Sequence, residues 1–163
     1  MRVPQIIPKK IYDLPGLLHQ VGQWRVLGRK VSFTNGVFDI LHRGHISSLS
    51  EAAVEADYLI VGVNSDASVK RLKGEERPVY DQDSRAFVLA SLLMVDAVII
   101  FEEDTPLELI NAILPDVLVK GGDYTLDQIV GAREVMAAGG RVVINKIVPG
   151  FSTTAAIEKI ERL

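Results

Sequence analysis

The chain has 163 residues, of which 48% are apolar and none is cysteine. This length suits one domain with a substantial core, and the missing cysteine excludes disulfides and Cys-ligated zinc. A formal net charge of −3 provides no basic surface for nucleic acid or an anionic membrane. Because the apolar runs are too short to span a membrane and the first residues lack the apolar stretch of a secretion signal, we expect a cytoplasmic protein that acts on a small molecule.

The first 30 residues are predicted to form a lead-in and one helix. Residues 1–10 contain two prolines and end in two lysines, which is typical of an extended segment. A helix then begins at Asp13 or Leu14, because Pro15 suits a first turn, and it ends near Gly28. We expect this helix to pack against a sheet or a partner subunit through an apolar face of Leu17, Leu18, Val21, Trp24 and Leu27.

Residues 31–45, VSFTNGVFDILHRGH, are the stretch around which the chain is organised. The apolar residues from Val31 predict a buried parallel strand, which Asn35 and Gly36 end in a sharp turn. A loop over residues 37–43 follows, and then an amphipathic helix whose apolar positions are Ile46, Leu49, Ala53 and Val54. A strand, a tight turn and a helix start favour phosphate, because free backbone N–H groups and the positive end of the helix dipole meet there.

Two histidines stand at the start of this predicted helix. His42 and His45 are three residues apart, so both rings can face the same way and reach one phosphate. Nucleotidyl transfer needs no protein nucleophile, since donors placed against the charge on the α-phosphate and the leaving pyrophosphate supply the rate. Zinc binding by the pair is the alternative, but no cysteine or third histidine lies close and Gly44 suits a phosphate loop better.

Strands and helices alternate over the rest of the chain. The predicted strands cover residues 58–63, 97–101, 117–119 and 141–144. The predicted helices are a short one through Leu72 and longer ones over residues 81–95, 106–114, 126–138 and 155–162. This alternation predicts a doubly wound α/β fold with a five-stranded parallel sheet. Its site should lie at the carboxyl ends of the strands, where Gly36, Lys120 and Ser152 meet.

Within these helices, the sequence also predicts particular caps and buried positions. We expect Asp104 or Thr105 to cap the helix that starts at Pro106, and Asp123 to cap the helix that follows it in the chain. Residues 152–154 should cap the last helix, where hydroxyls and backbone N–H groups also bind phosphate. The core side of the helix over residues 81–95 is predicted to be Phe87, Val88, Leu89, Leu92 and Leu93.

Two charged features have ordinary explanations on composition alone. Residues 70–78 carry four basic side chains around Gly74, which is typical of a solvated loop. Arg85 lies in the first turn of its predicted helix, where the dipole disfavours a cation, so an ion pair with a nearby Asp or Glu is expected.

Residues 36–45, GVFDILHRGH, resemble the signature of the cytidylyltransferase-like nucleotidyltransferases, which bind nucleoside triphosphates through an HxGH element. The resemblance covers the chain from about Lys9 to its end. Val148-Pro149 stands where glycerol-phosphate cytidylyltransferases have an Arg-Thr pair, which favours the adenylyl branch. Four further stretches are similar to the D-glycero-β-D-manno-heptose 1-phosphate adenylyltransferase family, namely VKRLKGEERP (69–78), EDTP (103–106), VKGGDY (119–124) and FSTT (151–154).

This resemblance implies transfer of AMP from ATP to a heptose 1-phosphate, which gives ADP-heptose, for lipopolysaccharide core or another surface glycan, and pyrophosphate. Mg²⁺ is expected with the ATP, held mostly by phosphates and water. The resemblance also implies a homodimer and one globular unit, with residues 1–30 as lead-in and helix and residues 31–163 as the nucleotidyltransferase domain. Because many members are fused to a sugar kinase, a stand-alone enzyme or an excised domain is implied.

The resemblance further implies roles for particular residues. The catalytic set is His42, His45 and Lys73, the last on a mobile loop that closes over the triphosphate. The nucleotide-binding set is Asn35, Gly36, Val37, Phe38, Gly44, Asp123, Ser152, Thr153 and Thr154. The set expected at phosphate or sugar phosphate is Asp39, Lys70, Arg85 and Lys120. Two choices stay open: Asp39 either orients a histidine or helps to hold the ion, and Arg85 contacts phosphate or supports the site.

Two other functions remain to be weighed against this one. The same chemistry could act on another acceptor, such as glycerol phosphate, ethanolamine phosphate or a cofactor phosphate. A nonenzymatic nucleotide-binding module could share the fold, since fold alone does not imply function. The joint presence of His42, His45, Lys73 and the STT element weighs against such a module.

Overall fold

A computed structural model describes residues 4–146 and 150–162. Its strands form one sheet in the order β1-β4-β3-β2-β5-β6, and every pair of neighbours is parallel. The strands are β1 (Ile11–Tyr12), β2 (Val31–Gly36), β3 (Tyr58–Asn64), β4 (Ala97–Phe101), β5 (Val117–Gly121) and β6 (Arg141–Asn145). The helices are α1 (Ile6–Lys9), α2 (Leu14–Val26), α3 (Arg43–Ala53), α4 (Asp66–Lys73), α5 (Gln82–Ala90), α6 (Leu107–Ile113), α7 (Ala132–Ala137) and α8 (Thr153–Glu161).

The sheet confirms the predicted doubly wound class. The five predicted strands are β2 to β6, and the two-residue β1 adds an edge beside β4. Helices cover both faces of the sheet. Since successive residues of a strand point to opposite faces, each strand contributes side chains to two cores. Along β3, Ile60 packs into the core under α2 and α6, whereas Leu59 and Val61 pack into the core under α3 and α5. Among the described residues, no helix is long and apolar enough to cross a membrane.

The N-terminal segment is more ordered than its prolines suggest. Residues 6–9 form α1 instead of the predicted extended lead-in, and Pro8 is tolerated because it lies within the first turn. The Lys10 ammonium donates to the carbonyl of Val95 at 2.7 Å and ties this segment to the chain before β4. The next helix begins as predicted, because Asp13 caps α2 by accepting from the Gly16 N–H. Leu17, Val21 and Trp24 are buried as predicted, whereas Leu18 and Leu27 are 37% and 71% exposed.

Helix α5 has a different buried face from the predicted one. It ends at Ala90, and Phe87, Val88 and Leu93 are 47%, 46% and 97% exposed. The buried side is formed by Arg85, Ala86, Leu89 and Ala90. The prediction is confirmed for Leu89 and wrong for Phe87, Val88 and Leu93, because hydrophobicity placed every large side chain inside, whereas the buried face also holds two alanines and a hydrogen-bonded arginine.

Three smaller predictions also need correction. The helix predicted over residues 126–138 is a single 3₁₀ turn at Leu126–Gln128 followed by α7, because Gly131 adopts a left-handed φ of +84° between them. Helix α6 has no side-chain cap, since Asp104 forms an ion pair with Arg71 instead. Val54, predicted on the apolar face of α3, follows the helix and is 82% exposed.

Candidate active site

The carboxyl ends of β2, β3 and β5 open onto a cavity of about 410 Å³. Parallel sheets of this class place their ligands at that edge. The turn after β2, the end of α4 and the end of β5 all contribute to the cavity. It brings together five of the predicted residues, namely Asn35, Gly36, Val37, Lys73 and Lys120.

Two lysines give this cavity its positive charge. Lys120 donates from Nζ to Oδ1 of Asn35 at 3.3 Å, and burial lowers the pKa of its ammonium. Lys73 is the last residue of α4 and is exposed, so the predicted charged loop begins only at Gly74. Lys70, one helical turn earlier, lies 3.8 Å from Glu75 in an exposed ion pair and does not line the cavity.

The histidine pair stands at the start of α3, as predicted. His42 is the N-cap, and its Nδ1 accepts from the backbone N–H of His45 at 3.4 Å. The two rings stack with centroids 3.8 Å apart and planes 17° from parallel. Because Nδ1 of His42 accepts, the proton of the neutral ring is on Nε2, which can donate to a ligand.

The surroundings of His45 disfavour the protonated form of its ring. Burial, reinforced by the neighbouring His42, lowers the pKa of His45 to about 4, while the Ile40 backbone partly opposes that shift. His45 is therefore neutral near pH 7 and offers a hydrogen bond instead of a full charge. Its Nδ1 is buried and has no hydrogen-bond partner within the described ranges. A bound polyphosphate would favour the protonated ring, because an opposite charge stabilises the charged form.

Asp39 holds a neighbouring loop instead of a histidine or a metal ion. Its carboxylate accepts from Nε of Arg77 at 2.7 Å and from the backbone N–H groups of Val79 and Tyr80. Burial raises the pKa of Asp39, but these hydrogen bonds and the Arg77 charge outweigh it and hold the pKa below its usual value. Both carboxylate oxygens thus accept hydrogen bonds from protein groups in this arrangement.

Arg85 is a buried junction between three loops. Its guanidinium donates to the carbonyls of Val37 at 2.6 Å, Asn64 at 2.8 Å and Tyr80 at 3.0 Å, and to Oδ1 of Asp66 at 2.8 Å. The side chain is fully buried, so it is not available to phosphate in this arrangement. Of its two predicted roles, the geometry matches support of the site, and the expected ion pair is the one with Asp66.

The remaining predicted residues lie near the same edge with different partners. Ser152 caps α8 by accepting from the Ala155 N–H, and Thr153 donates from Oγ1 to the carbonyl of Ile40 on the histidine loop. Asp123 is exposed and caps no helix, because Thr125 and Gln128 form the capping box of the next turn. Val148-Pro149 lies outside the described residues.

Two aromatic neighbours of the histidines define their surroundings. The ring of Phe38 meets His45 edge-on at 5.5 Å, and Phe151 lies 6.0 Å from the ring of His42. Phe38, predicted to bind nucleotide, therefore packs against a histidine, with a left-handed φ of 48°. The contacts of Phe151 and Arg77 were not foreseen, because each partner is distant in sequence and no local pattern signals the pairing.

The sheet order, the histidine pair at the start of α3 and the two lysines at one sheet edge are features of a nucleotide-binding α/β protein. The family described as cytidylyltransferase-like matches residues 33–159. The chain belongs to this cytidylyltransferase-like family.

Similar proteins extend this comparison. The chain is 57% identical over 150 residues to the bifunctional protein HldE of Mesorhizobium japonicum and 56% identical over 152 residues to that of Acidiphilium cryptum. The matches cover 92% and 93% of this chain but 30% and 31% of those relatives, so the chain spans about a third of their length.

Two solved structures resemble the fold. The lipopolysaccharide core biosynthesis protein from Thermoplasma volcanium is 31% identical with a TM-score of 0.59, over 74% of this chain and 98% of that one. Pantoate-beta-alanine ligase from Francisella tularensis has the same TM-score of 0.59 at 15% identity, over 94% of this chain and 78% of that one, and shares the fold alone.

Proposed function

We propose that the chain transfers AMP from ATP to D-glycero-β-D-manno-heptose 1-phosphate, giving ADP-heptose and pyrophosphate. The observation that carries the proposal is the stacked histidine pair at the start of α3. Neither histidine lines the cavity, but the pair follows the turn after β2, whose residues Gly36 and Val37 line the cavity together with the two lysines. The similarity to bifunctional HldE proteins and to a lipopolysaccharide core biosynthesis protein supports the choice of acceptor.

The reaction is an in-line displacement at phosphorus. A phosphate oxygen of the sugar phosphate forms a bond to the α-phosphorus of ATP. The bond from that phosphorus to the oxygen bridging the β-phosphate breaks, and pyrophosphate leaves with the electron pair. No protein nucleophile takes part, so the protein contributes through position and charge stabilisation.

The protein groups divide this work between them. Nε2 of His42 and the ring of His45 donate to the transferring phosphate and the departing charge, at the helix start where backbone N–H groups also point. Lys73, exposed at the end of α4, closes over the triphosphate. Lys120, beside Asn35 in the cavity, pairs with the phosphate of the acceptor. Ser152, Thr153 and Thr154 hold the triphosphate at the start of α8.

Mg²⁺ enters this scheme with the nucleotide. In the parts of the chain that the structure describes, no three His, Asp or Glu residues lie close enough together to hold a metal ion, and both oxygens of Asp39 are occupied. Phosphate oxygens and water are the expected ligands of Mg²⁺, and the ion would supply charge neutralisation there.

The decisive experiment measures pyrophosphate release with Mg²⁺ for ATP and CTP, each combined with heptose 1-phosphate, glycerol 3-phosphate and ethanolamine phosphate. Release with ATP and the heptose alone is expected. Release with another pair would retain the histidine mechanism and refute the acceptor, and nucleotide binding with no release would indicate a nonenzymatic module.

Substitution of His45 tests the mechanism within the same assay. We expect His45→Ala to lower kcat by about a hundredfold or more, as when a donor aimed at the transition state is lost. His19→Ala is the matched control, because His19 is an exposed histidine on α2. Unchanged turnover in His45→Ala would remove the ring from the mechanism.

We also propose a homodimer and a cytoplasmic location, both from the family resemblance. Light scattering on the purified chain measures the first directly: a mass near twice the 17.9 kDa of the chain is expected. A mass of one chain at micromolar concentration would refute the dimer without affecting the proposed reaction.

A further inference from the structure

Four aromatic rings form a row across the start of α3. The row runs from Phe151 through His42 and His45 to Phe38, and we call it the aromatic row. Its centroids are 6.0 Å, 3.8 Å and 5.5 Å apart in that order, and the first two contacts are stacked while the third is edge-on. The histidine pair is thus enclosed at both ends by phenylalanine.

Two ring contacts flank His45, in addition to a polar contact with the Ile40 backbone. Nδ1 of His45 has no hydrogen-bond partner in the described part of the chain. The usual device for fixing a functional histidine, a hydrogen bond to its second nitrogen, is therefore missing at that atom. The face of His42 and the edge of Phe38 are the contacts that define the plane of this ring.

The ring of His42 is held from two sides. Its Nδ1 accepts from the His45 N–H at 3.4 Å, which is a long hydrogen bond, and its outer face meets Phe151. The glycine between the histidines makes this possible. A Cβ atom on Gly44 would lie 3.1 Å from the His42 ring and 3.2 Å from Cβ of Phe151, so any other residue would press on both.

Phe151 also joins two segments that are distant in sequence. It directly precedes Ser152, the cap of α8, and Thr153 donates to the Ile40 carbonyl at 3.3 Å. The start of α8 therefore contacts the histidine loop once through a hydrogen bond and once through an aromatic ring. A phosphate bound at the start of α8 would place Phe151, and with it His42, in a defined position.

We propose that Phe151 is a positioning residue that holds His42 stacked on His45 and so links the phosphate-binding start of α8 to the histidine pair. The inference rests on the proposed function for its effect on catalysis, but the effect on ring position does not depend on the reaction. Phe151 acts through His42 and touches no reacting atom.

The first test follows the histidine ring signals by NMR in the full chain. Signals are assigned with His42→Ala and His45→Ala. Phe151→Ala is expected to move both ring signals, and Phe151→Tyr to restore them. Phe87→Ala, which removes a phenyl ring of similar exposure on α5, should move neither. Ring signals that stay in place in Phe151→Ala would overturn the proposal, whichever substrate the protein uses.

The second test uses turnover. Phe151→Ala should lower kcat about three- to tenfold, the population change expected when one aromatic contact is lost, while the KM for ATP stays within about twofold. In a His42→Ala background the same substitution should have no further effect, because its partner is gone. Full multiplication of the two losses would refute action through His42. If no acceptor supports turnover in the wild-type chain, the proposed function fails and the ring signals still decide the inference.

Discussion

Replacing Arg85 is the most informative single change in this protein. Sequence similarity assigned it to phosphate or to support of the site, and the structure surrounds its guanidinium with four acceptors. Removing the arginine leaves the carbonyls of Val37, Asn64 and Tyr80 without this donor, and it leaves the carboxylate of Asp66 without its cation. The loop that leads to the histidines loses its main polar tie to β3 and α5.

The size of the effect follows from burial. The arginine side chain is fully buried, whereas that of Asp66 is 34% exposed and can be hydrated after the change. Breaking a buried pair by removing one partner typically lowers the free energy of unfolding by about 3–5 kcal/mol, and we expect Arg85→Met to fall in the lower half of that range. Arg85→Lys should lie between wild type and Arg85→Met, because one ammonium cannot reach four acceptors arranged around a planar fork.

Urea unfolding followed by circular dichroism measures this change. Arg71→Met is the matched control, since Arg71 pairs with Asp104 at 2.7 Å but is 49% exposed, and its loss should change the free energy by less than about 1 kcal/mol. Equally small losses of unfolding free energy in Arg85→Met and Arg71→Met would refute the role of Arg85 as a buried, stabilising junction. A large rise in the KM for ATP in Arg85→Lys, with stability unchanged, would instead show that Arg85 contacts phosphate.

Two further expectations concern the histidine pair. The pKa of His45 is about 4 in the folded chain against 6.5 for a free side chain, so the unfolded state binds more protons between those values. The free energy of unfolding should fall as pH drops through that window, by about 1–2 kcal/mol after allowance for partial exposure of the ring, and His45→Gln should flatten the slope in urea titrations at pH 7 and 4.5. Equal slopes would contradict the assigned pKa. Gly44→Ala should lower kcat at least as much as Phe151→Ala, because its Cβ would press on both His42 and Phe151, and full activity would show that the rings can shift without loss.

The sequence was most informative where a local pattern determines the structure. The strands and the helix starts at Asp13, Asp81 and Ser152 were visible because side chain and spacing act within a few residues. The capping histidine belongs to the same class, since His42 and His45 are separated by three residues at a helix start. Local chemistry therefore determined both the fold class and the central element of the site.

Prediction from sequence failed where a residue forms hydrogen bonds to residues that are distant in the chain. Hydrophobic periodicity assigned Phe87 and Val88 to the core, but the inner face of α5 is taken by Arg85, whose acceptors include the carbonyl of Val37, 48 residues earlier. Ala86, Leu89 and Ala90 share the buried face with that guanidinium. The larger side chains then point outward, and no pattern within α5 reveals the reason.

The roles of the charged residues around the site follow the same division. Lys73 and Lys120 line the cavity, whereas the Asp39 carboxylate accepts from Arg77, Val79 and Tyr80 and the Arg85 guanidinium donates to four protein oxygens. All four are charged, and the family resemblance assigned each of them to catalysis or to contact with phosphate. Their hydrogen bonds distinguish the two pairs, because Asp39 and Arg85 are engaged by protein groups whereas the lysines face the cavity. The proposal that Lys73 and Lys120 contact phosphate is supported by their place in the cavity and by the absence of an ion pair to either lysine within the described ranges.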